Sequence, residues 1–287
     1  AGSSDFGRLG TPSTLIILKA LQTARSGKEA VEIFRRYQTI ITEIFVVAAP
    51  EEPLYVIEKS PHRMQVLEYA NPHAVSNHLV HPSWNSDSVN SFRQTELTSQ
   101  SRLARAENLL AKFSKGGARE ILAGLRDKTP DGAGSPLFGN RGAIDAQIAT
   151  HAVVYDSKQG ILYVGKGPSL VGEFLGFDLN ASFARREPVK SPSLPADKDL
   201  SPAFYAKLKA DEKIFQAALD PTNEDCASLE KFREPLQASF AHYQKFIALA
   251  RIAKYCGPAA AAEKFRQEAL SLHPAYARER RELQEPR

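Results

Sequence analysis

The sequence predicts an α+β protein whose sheets are antiparallel and whose last third is helical. Strand-like segments follow one another directly instead of alternating one by one with helices, which favours antiparallel meanders over a parallel, doubly wound sheet. From about residue 190 the strand patterns stop and the apolar residues recur at helical spacing. We therefore predict a mixed domain over residues 1–190, then a linker and a helical extension over residues 191–287.

The first elements should be two helices. Thr11-Pro12 has the form of a helix cap followed by proline at the first helical position, and "STLIILKALQTARS" and "KEAVEIFRRYQ" follow it. Three segments rich in β-branched or alternating residues come next, "ITEIFVVAA", "PLYVIEKSP" and "HRMQVLEYA". Ser60-Pro61 is a turn signal between the last two, and "HAVSNHLV" is a candidate fourth strand. Residues 41–80 should therefore form consecutive antiparallel strands.

The middle of the chain should carry a loop, two helices and a second meander. Residues 81–101 are rich in small hydroxyl and amide side chains and should form a loop. "SRLARAENLLAKF" and "AREILAGLRDK" are helical patterns separated by Gly116-Gly117, and residues 129–142 are a Gly/Pro-rich loop. The strands "THAVVYD", "GILYVGKG" and "GEFLGFDL" should then form another antiparallel set within residues 150–179.

The remainder should be a proline-rich linker, "EPVKSPSLPADKDLSP", followed by helices to the end of the chain. Pro235 should kink or split one helix, and Cys256-Gly257-Pro258 should break another. The tail carries an apolar stripe at spacings of three or four: Phe232, Leu236, Phe240, Tyr243, Phe246 and Ile247. We expect this stripe to pack against the rest of the chain, and a homo-oligomer formed through the tail is the alternative.

Composition and charge argue against several classes of partner. The apolar fraction of 43% is ordinary for a globular protein, and the net charge of +4 comes from basic residues spread along the chain, so nucleic acid is not an expected partner. No apolar run is long enough to span a membrane, and "AGSSD" has no signal-peptide character, which leaves the compartment open. "GKGPS" at residues 165–169 lacks the spacing of a phosphate loop, and no cofactor is expected.

Cysteine and histidine placement gives no metal site. Cys226 and Cys256 make neither a disulfide framework nor a zinc site, and we expect two packed thiols rather than a disulfide. His73, His78 and His81 lack the spacing of helical ligands and have no carboxylate with them, so we expect no metal there either.

Three stretches share an order that composition does not explain. "VSNHLVHP" (75–82) ends the first meander, "TSQSRLARAENLL" opens a helix, and "ATHAVVYDSKQGILYVGKGP" is a hairpin. Their collinear order resembles the second half of the N-terminal-nucleophile (Ntn) amide hydrolases. The nearest branches are the acyl-CoA:isopenicillin N acyltransferase group and the choloylglycine hydrolases with the penicillin V acylases. The resemblance covers about residues 7–180 and includes the helix pair "TPSTLIILKALQTARSGKEAVEIF".

The resemblance implies an α-β-β-α sandwich, in which two antiparallel sheets lie face to face between helical layers. It implies an amide-bond hydrolase or acyltransferase acting on a small-molecule amide or acyl substrate, with an N-terminal cysteine as nucleophile. Asn77 would donate to the oxyanion, and Arg102, or else Arg105, would favour the thiolate. His78 and Ser101 would contact the substrate.

This sequence departs from the family in its nucleophile. Residue 1 is alanine, and the first strands of the family, which bear the cysteine, have no counterpart here. We expect that segment to be a companion chain, to have been trimmed, or to be disordered. The alternative is a noncatalytic binding or scaffold protein on the same shell, with the helical tail as its contact surface.

The site residues also have ordinary structural interpretations. Asn77 could satisfy backbone groups at a strand end, and Arg102 and Arg105 could be solvated helix residues. Ser101 could be a helix cap only.

Overall fold

The computed structural model describes residues 2–7, 9–113, 116–223 and 225–285, and it divides into two units, Ala1–Ser114 and Lys115–Arg287. Each unit contains one antiparallel sheet together with helices. The predicted α+β class with two antiparallel sheets is therefore confirmed. The division between the units falls between positions 114 and 115 of the sequence, and the domain boundary expected near residue 190 stays a prediction.

The first unit opens with the predicted helix pair, α1 (Ser13–Thr23) and α2 (Gly27–Arg36). Thr11 does not cap α1: the helix starts at Ser13, with Pro12 at the cap position and no side-chain cap bond. In α2 the Ser26 hydroxyl accepts a hydrogen bond from Glu29 N, the usual way to satisfy a donor at a helix start.

The predicted first meander forms as three strands, β1 (Glu43–Val47), β2 (Leu54–Lys59) and β3 (Met64–Tyr69), in the order β1-β2-β3. Both pairs are antiparallel. The core between this sheet and the helix pair is apolar and includes Ile16, Phe34, Phe45, Tyr55 and Ile57.

The candidate fourth strand is wrong. Residues 71–80 form an irregular loop after β3, because their polar groups bond to side chains of other elements instead of to a strand. That loop contains Asn77 and His78.

The predicted loop over residues 81–101 is also wrong, because it contains helices. A 3-10 helix spans Pro82–Trp84, α3 spans Ser88–Thr95 and α4 spans Ser99–Phe113. Asp87 caps α3 by accepting from Asn90 N. Trp84 is fully buried, with the Arg63 guanidinium 4.1 Å from its ring centre. Because this stretch is mostly polar, its pattern did not reveal that Trp84 is buried or that Asp87 caps a helix.

The second unit starts with α5 (Ala118–Leu125) and then, after the Gly/Pro-rich loop, the predicted second meander. Its strands are β4 (Val153–Asp156), β5 (Ile161–Gly165) and β6 (Phe174–Asp178). A helix, α6 (Leu179–Arg185), and a further strand, β7 (Val189–Leu194), follow, and the sheet order is β4-β5-β6-β7.

Part of the predicted linker is therefore a strand. β7 contains Pro192, which an edge strand accepts because one side of its backbone is unpaired. The pairing of β6 with β7 is irregular between Phe174 and Gly176.

The rest of the described chain is helical as predicted. Pro286 and Arg287 lie outside the described residues. Phe215, Leu229, Leu236, Leu249 and Ile252 form a buried cluster among these helices. The long pattern is split just before Pro235 as expected, and the helix Tyr243–Cys256 ends before Gly257. The helices are α7 (Pro202–Ala218), α8 (Cys226–Glu230), α9 (Arg233–Ala238), α10 (Tyr243–Cys256), α11 (Ala259–Ser271) and α12 (Ala277–Gln284). Within the described part of the chain, no helix has the length and apolarity needed to cross a membrane.

The expectation of two free thiols is wrong. Cys226 and Cys256 form a disulfide that joins the start of α8 to the end of α10, with their Cα atoms 5.1 Å apart. Two residues thirty positions apart in sequence gave no signal of pairing, because their contact depends on how α8 folds back on α10.

Candidate functional site

The loop over residues 71–80 is anchored to the start of α4 by one buried hydroxyl. Ser99, only 2% exposed, accepts a hydrogen bond from Asn77 N at 2.8 Å. The same Oγ lies 2.8 Å from Nδ1 of His78 and 3.0 Å from Oγ of Ser76. Three consecutive residues of the loop therefore converge on Ser99, which fixes the backbone on both sides of the Asn77 side chain.

Two predicted site residues, Asn77 and Arg102, are in direct contact. Arg102 Nη2 donates to Asn77 Oδ1 at 2.6 Å, and Arg102 Nε donates to Thr98 Oγ1 at 3.3 Å. Because a guanidinium can only donate, it sets the Asn77 oxygen toward Arg102 and leaves the amide NH₂ on the other side. Asn77 itself is exposed.

His78 is buried beside this pair, and its imidazole faces Ser99. Burial lowers the pKa of His78 below its usual value, and the positive charge of Arg102 lowers that pKa further. The ring is thus neutral at neutral pH, and it supports the Asn77 loop through Ser99. Its predicted contact with substrate stays a prediction.

The far end of the loop is held by α3 and β2. Asn90 exchanges two hydrogen bonds with the backbone of Leu79, accepting from its N at 2.8 Å and donating to its O at 2.9 Å. Glu58, 1% exposed in β2, accepts from the backbone N atoms of Val80 and His81. The Asn77 loop is irregular in backbone, but buried side chains of regular elements fix it on both sides.

The other predicted site residues lie on α4. Arg105 is half-buried, one turn beyond Arg102. Ser101 lies inside the helix, where its hydroxyl donates to Thr98 O at 3.1 Å, so it is not a helix cap. The proposed roles of both residues stay predictions.

The three histidines have separate partners. His73 stacks on Tyr69 with 3.6 Å between ring centres, His78 faces Ser99, and His81 Nδ1 lies 2.9 Å from Ser83 Oγ. Cys226, Glu230 and Cys256 are close enough to share an ion, but the two sulfurs are bonded to each other.

A second polar cluster holds the start of the chain. Ser4 donates from both N and Oγ to the Asp87 carboxylate, at 2.9 and 2.8 Å. Asp5 pairs with Arg63 at 2.9 Å, and the hydrogen bond from Arg63 holds the pKa of Asp5 below its usual value despite burial. Asp87 also caps α3, so residues 2–7 and the Asn77 loop are both held at the start of this helix, through Asp87 and Asn90.

Sequence reasoning missed the residues that support the site. Ser99, Asn90 and Glu58 are buried polar side chains whose partners are backbone groups distant in sequence. The only available signal was the run of hydroxyl residues in "ELTSQS", which does not say which hydroxyl turns inward.

The comparisons with known proteins point to one family. Residues 7–132 match the family described as acyl-coenzyme A:6-aminopenicillanic acid acyl-transferase. The predicted resemblance to the acyltransferase branch is confirmed over these residues, which include β1–β3, the Asn77 loop and α4. The resemblance predicted beyond residue 132, and that to choloylglycine hydrolases, stay predictions. Comparison with curated proteins and with solved structures gives no match.

Proposed function

We propose that this chain is part of an Ntn-type acyltransferase or amide-bond hydrolase. In this proposal its two sheets form the α-β-β-α sandwich, and a cysteine on a segment outside these 287 residues is the nucleophile. The thiolate attacks an amide or thioester carbonyl, and the acyl group passes to sulfur as the C–N or C–S bond breaks and the amine or thiol leaves. Water or an amine then attacks the acyl-enzyme, which forms the acid or the new amide and releases the cysteine.

The contact between Asn77 and Arg102 carries the proposal. An oxyanion requires a donor that is held in place before charge develops, and one such donor contributes about 3 kcal/mol to transition-state stabilisation. Ser99 fixes the Asn77 backbone and Arg102 fixes the amide oxygen, so the NH₂ group can present its protons to an anion.

Two further observations support a nucleophile on another segment. The sequence has two cysteines, and both are consumed by the disulfide. In addition, β1 and β4 lie at sheet edges and expose large apolar side chains: Val46, Val153 and Tyr155 are 51%, 58% and 54% exposed. Open edges of this kind can pair with added strands.

Intact mass measurement and N-terminal sequencing of every polypeptide in the natural preparation test the proposal. We expect a companion peptide, or a preceding segment of the same gene product, that begins with cysteine after processing. Its thiol should be alkylated by iodoacetamide in step with loss of amidase or acyl-transfer activity. A preparation in which no polypeptide begins with cysteine would instead favour the noncatalytic scaffold.

A further inference from the structure

The helical tail contains a groove that the proposed chemistry does not use. It has a volume of about 1040 Å³ and lies among α10, α11 and α12. Small-molecule sites are typically ~300–1,000 Å³. This volume suits a small molecule, including one with a long apolar chain, rather than a protein surface.

Part of the groove is lined by apolar side chains. Ala259, Ala260 and Ala262 on α11 form its alanine wall, and Ile247 and Ala250 on α10 also line it. Leu219 and Leu283 extend the same surface. Short side chains leave room for a chain of methylene groups, and burying each methylene is favourable by ~0.8 kcal/mol.

The residues that line the groove include more cations than acids. Glu282 pairs with Arg278 at 2.7 Å, and Glu263 lies 3.6 Å from Arg266. Arg251 donates to the backbone carbonyl oxygens of Asp220 and Asn223, and its positive charge also contributes to lowering the pKa of the Asp220 carboxyl.

Lys254 has no ion pair within the described ranges, and its ammonium is 5.8 Å from the ring centre of Tyr255. It lies near the end of α10, before Gly257-Pro258 and the start of α11, and it lines the groove. Glu279 is the remaining acid of the lining, and burial raises its pKa above the usual value.

We propose that this groove binds an amphipathic carboxylate, with the head group at Lys254 and Arg251 and an apolar chain along the alanine wall. The inference does not depend on the proposed acyl-transfer site, because all of these residues belong to the tail helices. A neutral amphiphile would leave the excess positive charge without a counter-charge, and a cationic amphiphile would be repelled by it.

Isothermal titration of the complete protein with three ten-carbon probes tests this assignment. We expect decanoate to bind at one saturable site, decanol about 5-fold more weakly, and decyltrimethylammonium more weakly still. Lys254→Gln should remove the preference for decanoate over decanol. Lys264→Gln is the matched control, since Lys264 is exposed on the neighbouring helix α11 but does not line the groove.

A steric variant locates the chain. Ala260→Trp should fill the groove and weaken decanoate binding by at least about 10-fold, whereas Ala210→Trp on the exposed face of α7 should not. Both sites are exposed, and unchanged circular dichroism will show that each variant folds. Equal binding of all three probes, no binding of any, or wild-type affinity in Ala260→Trp overturns the proposal.

Discussion

Arg102 donates to the oxygen of the Asn77 amide, which orients the side chain and leaves its NH₂ group to donate elsewhere. In the complete, processed protein we predict that Asn77→Ala lowers turnover about 10²-fold, because one preorganised oxyanion donor is lost. The free energy of unfolding should change little, because the side chain is exposed. Steady-state kinetics and urea unfolding measure the two effects.

Asn71→Ala is the control for that prediction. Asn71 is also exposed in the loop that follows β3, and its removal should leave turnover unchanged. An equal loss of turnover in both variants would mean that turnover depends on the loop in general and not on the Asn77 amide.

Ser99 should matter to stability more than its hydroxyl neighbours do. Ser99→Ala leaves Asn77 N and the buried imidazole of His78 without their partner, which should lower the free energy of unfolding by about 1–3 kcal/mol. Ser101→Ala, which removes only a bond within its own helix turn, should cost less than about 0.5 kcal/mol. Urea unfolding compares the two, and equal losses would contradict the anchoring role.

His242 should make the second unit sensitive to acid. It is buried against Phe215, and its pKa is lowered to about 4, mainly by burial. The hydrogen bond with the Gly139 backbone raises that pKa, and the positive charge of Arg141 lowers it. The unfolded imidazole takes a proton near pH 6.5 while the folded one does not, so stability falls as the pH drops from about 6.5 to 4, by roughly 3 kcal/mol in all.

His242→Asn should flatten that decline and keep the helix cap, because asparagine can also accept from Gln244 N. Thermal unfolding from pH 4 to pH 7.5 measures the difference. His81→Asn is the comparison, since that histidine also caps a helix but is less buried. A steep decline retained in His242→Asn would assign it to other groups.

At the scale of elements, the parts that could be predicted were those with a sustained apolar period. The strands β1–β6 and the tail helices appear where alternation or helical spacing placed them. Segments whose structure depends on a few polar anchors were missed. α3 is held by Asp87 and Asn90, and the Asn77 loop by Ser99 and Glu58, and none of these contributes to a hydrophobic pattern. β7 was missed because prolines made it look like a linker.

The Cys226–Cys256 disulfide should stabilise the tail helices. It joins residues that are 30 positions apart and closes a loop containing α8, α9 and α10, for which loss of the bond should cost about 3.5 kcal/mol. Reductant should therefore lower the unfolding midpoint of the wild type. The double variant Cys226→Ala, Cys256→Ala should start at the lower midpoint and not respond to reductant. A wild type whose midpoint ignores full reduction would contradict this.

At the scale of the whole molecule, the tail is part of the second unit's core. Leu200 and Leu208 are fully buried against Val171, with Phe138 and Phe204 packed beside them. We predict that a chain ending at residue 199 is insoluble, because this surface would face water. A soluble monomer from an oligomeric parent would instead support a tail that serves as a subunit interface, and light scattering of both chains distinguishes the two.

Trp84 makes the two units separately observable. It is the single tryptophan of the sequence, it is fully buried in the first unit, and the Arg63 guanidinium lies against its ring. Its emission should shift to longer wavelength when the first unit opens and should ignore the second. Far-ultraviolet dichroism is weighted toward the helices of the tail. The two signals recorded in one denaturant titration will therefore coincide if the units unfold together and separate if they do not.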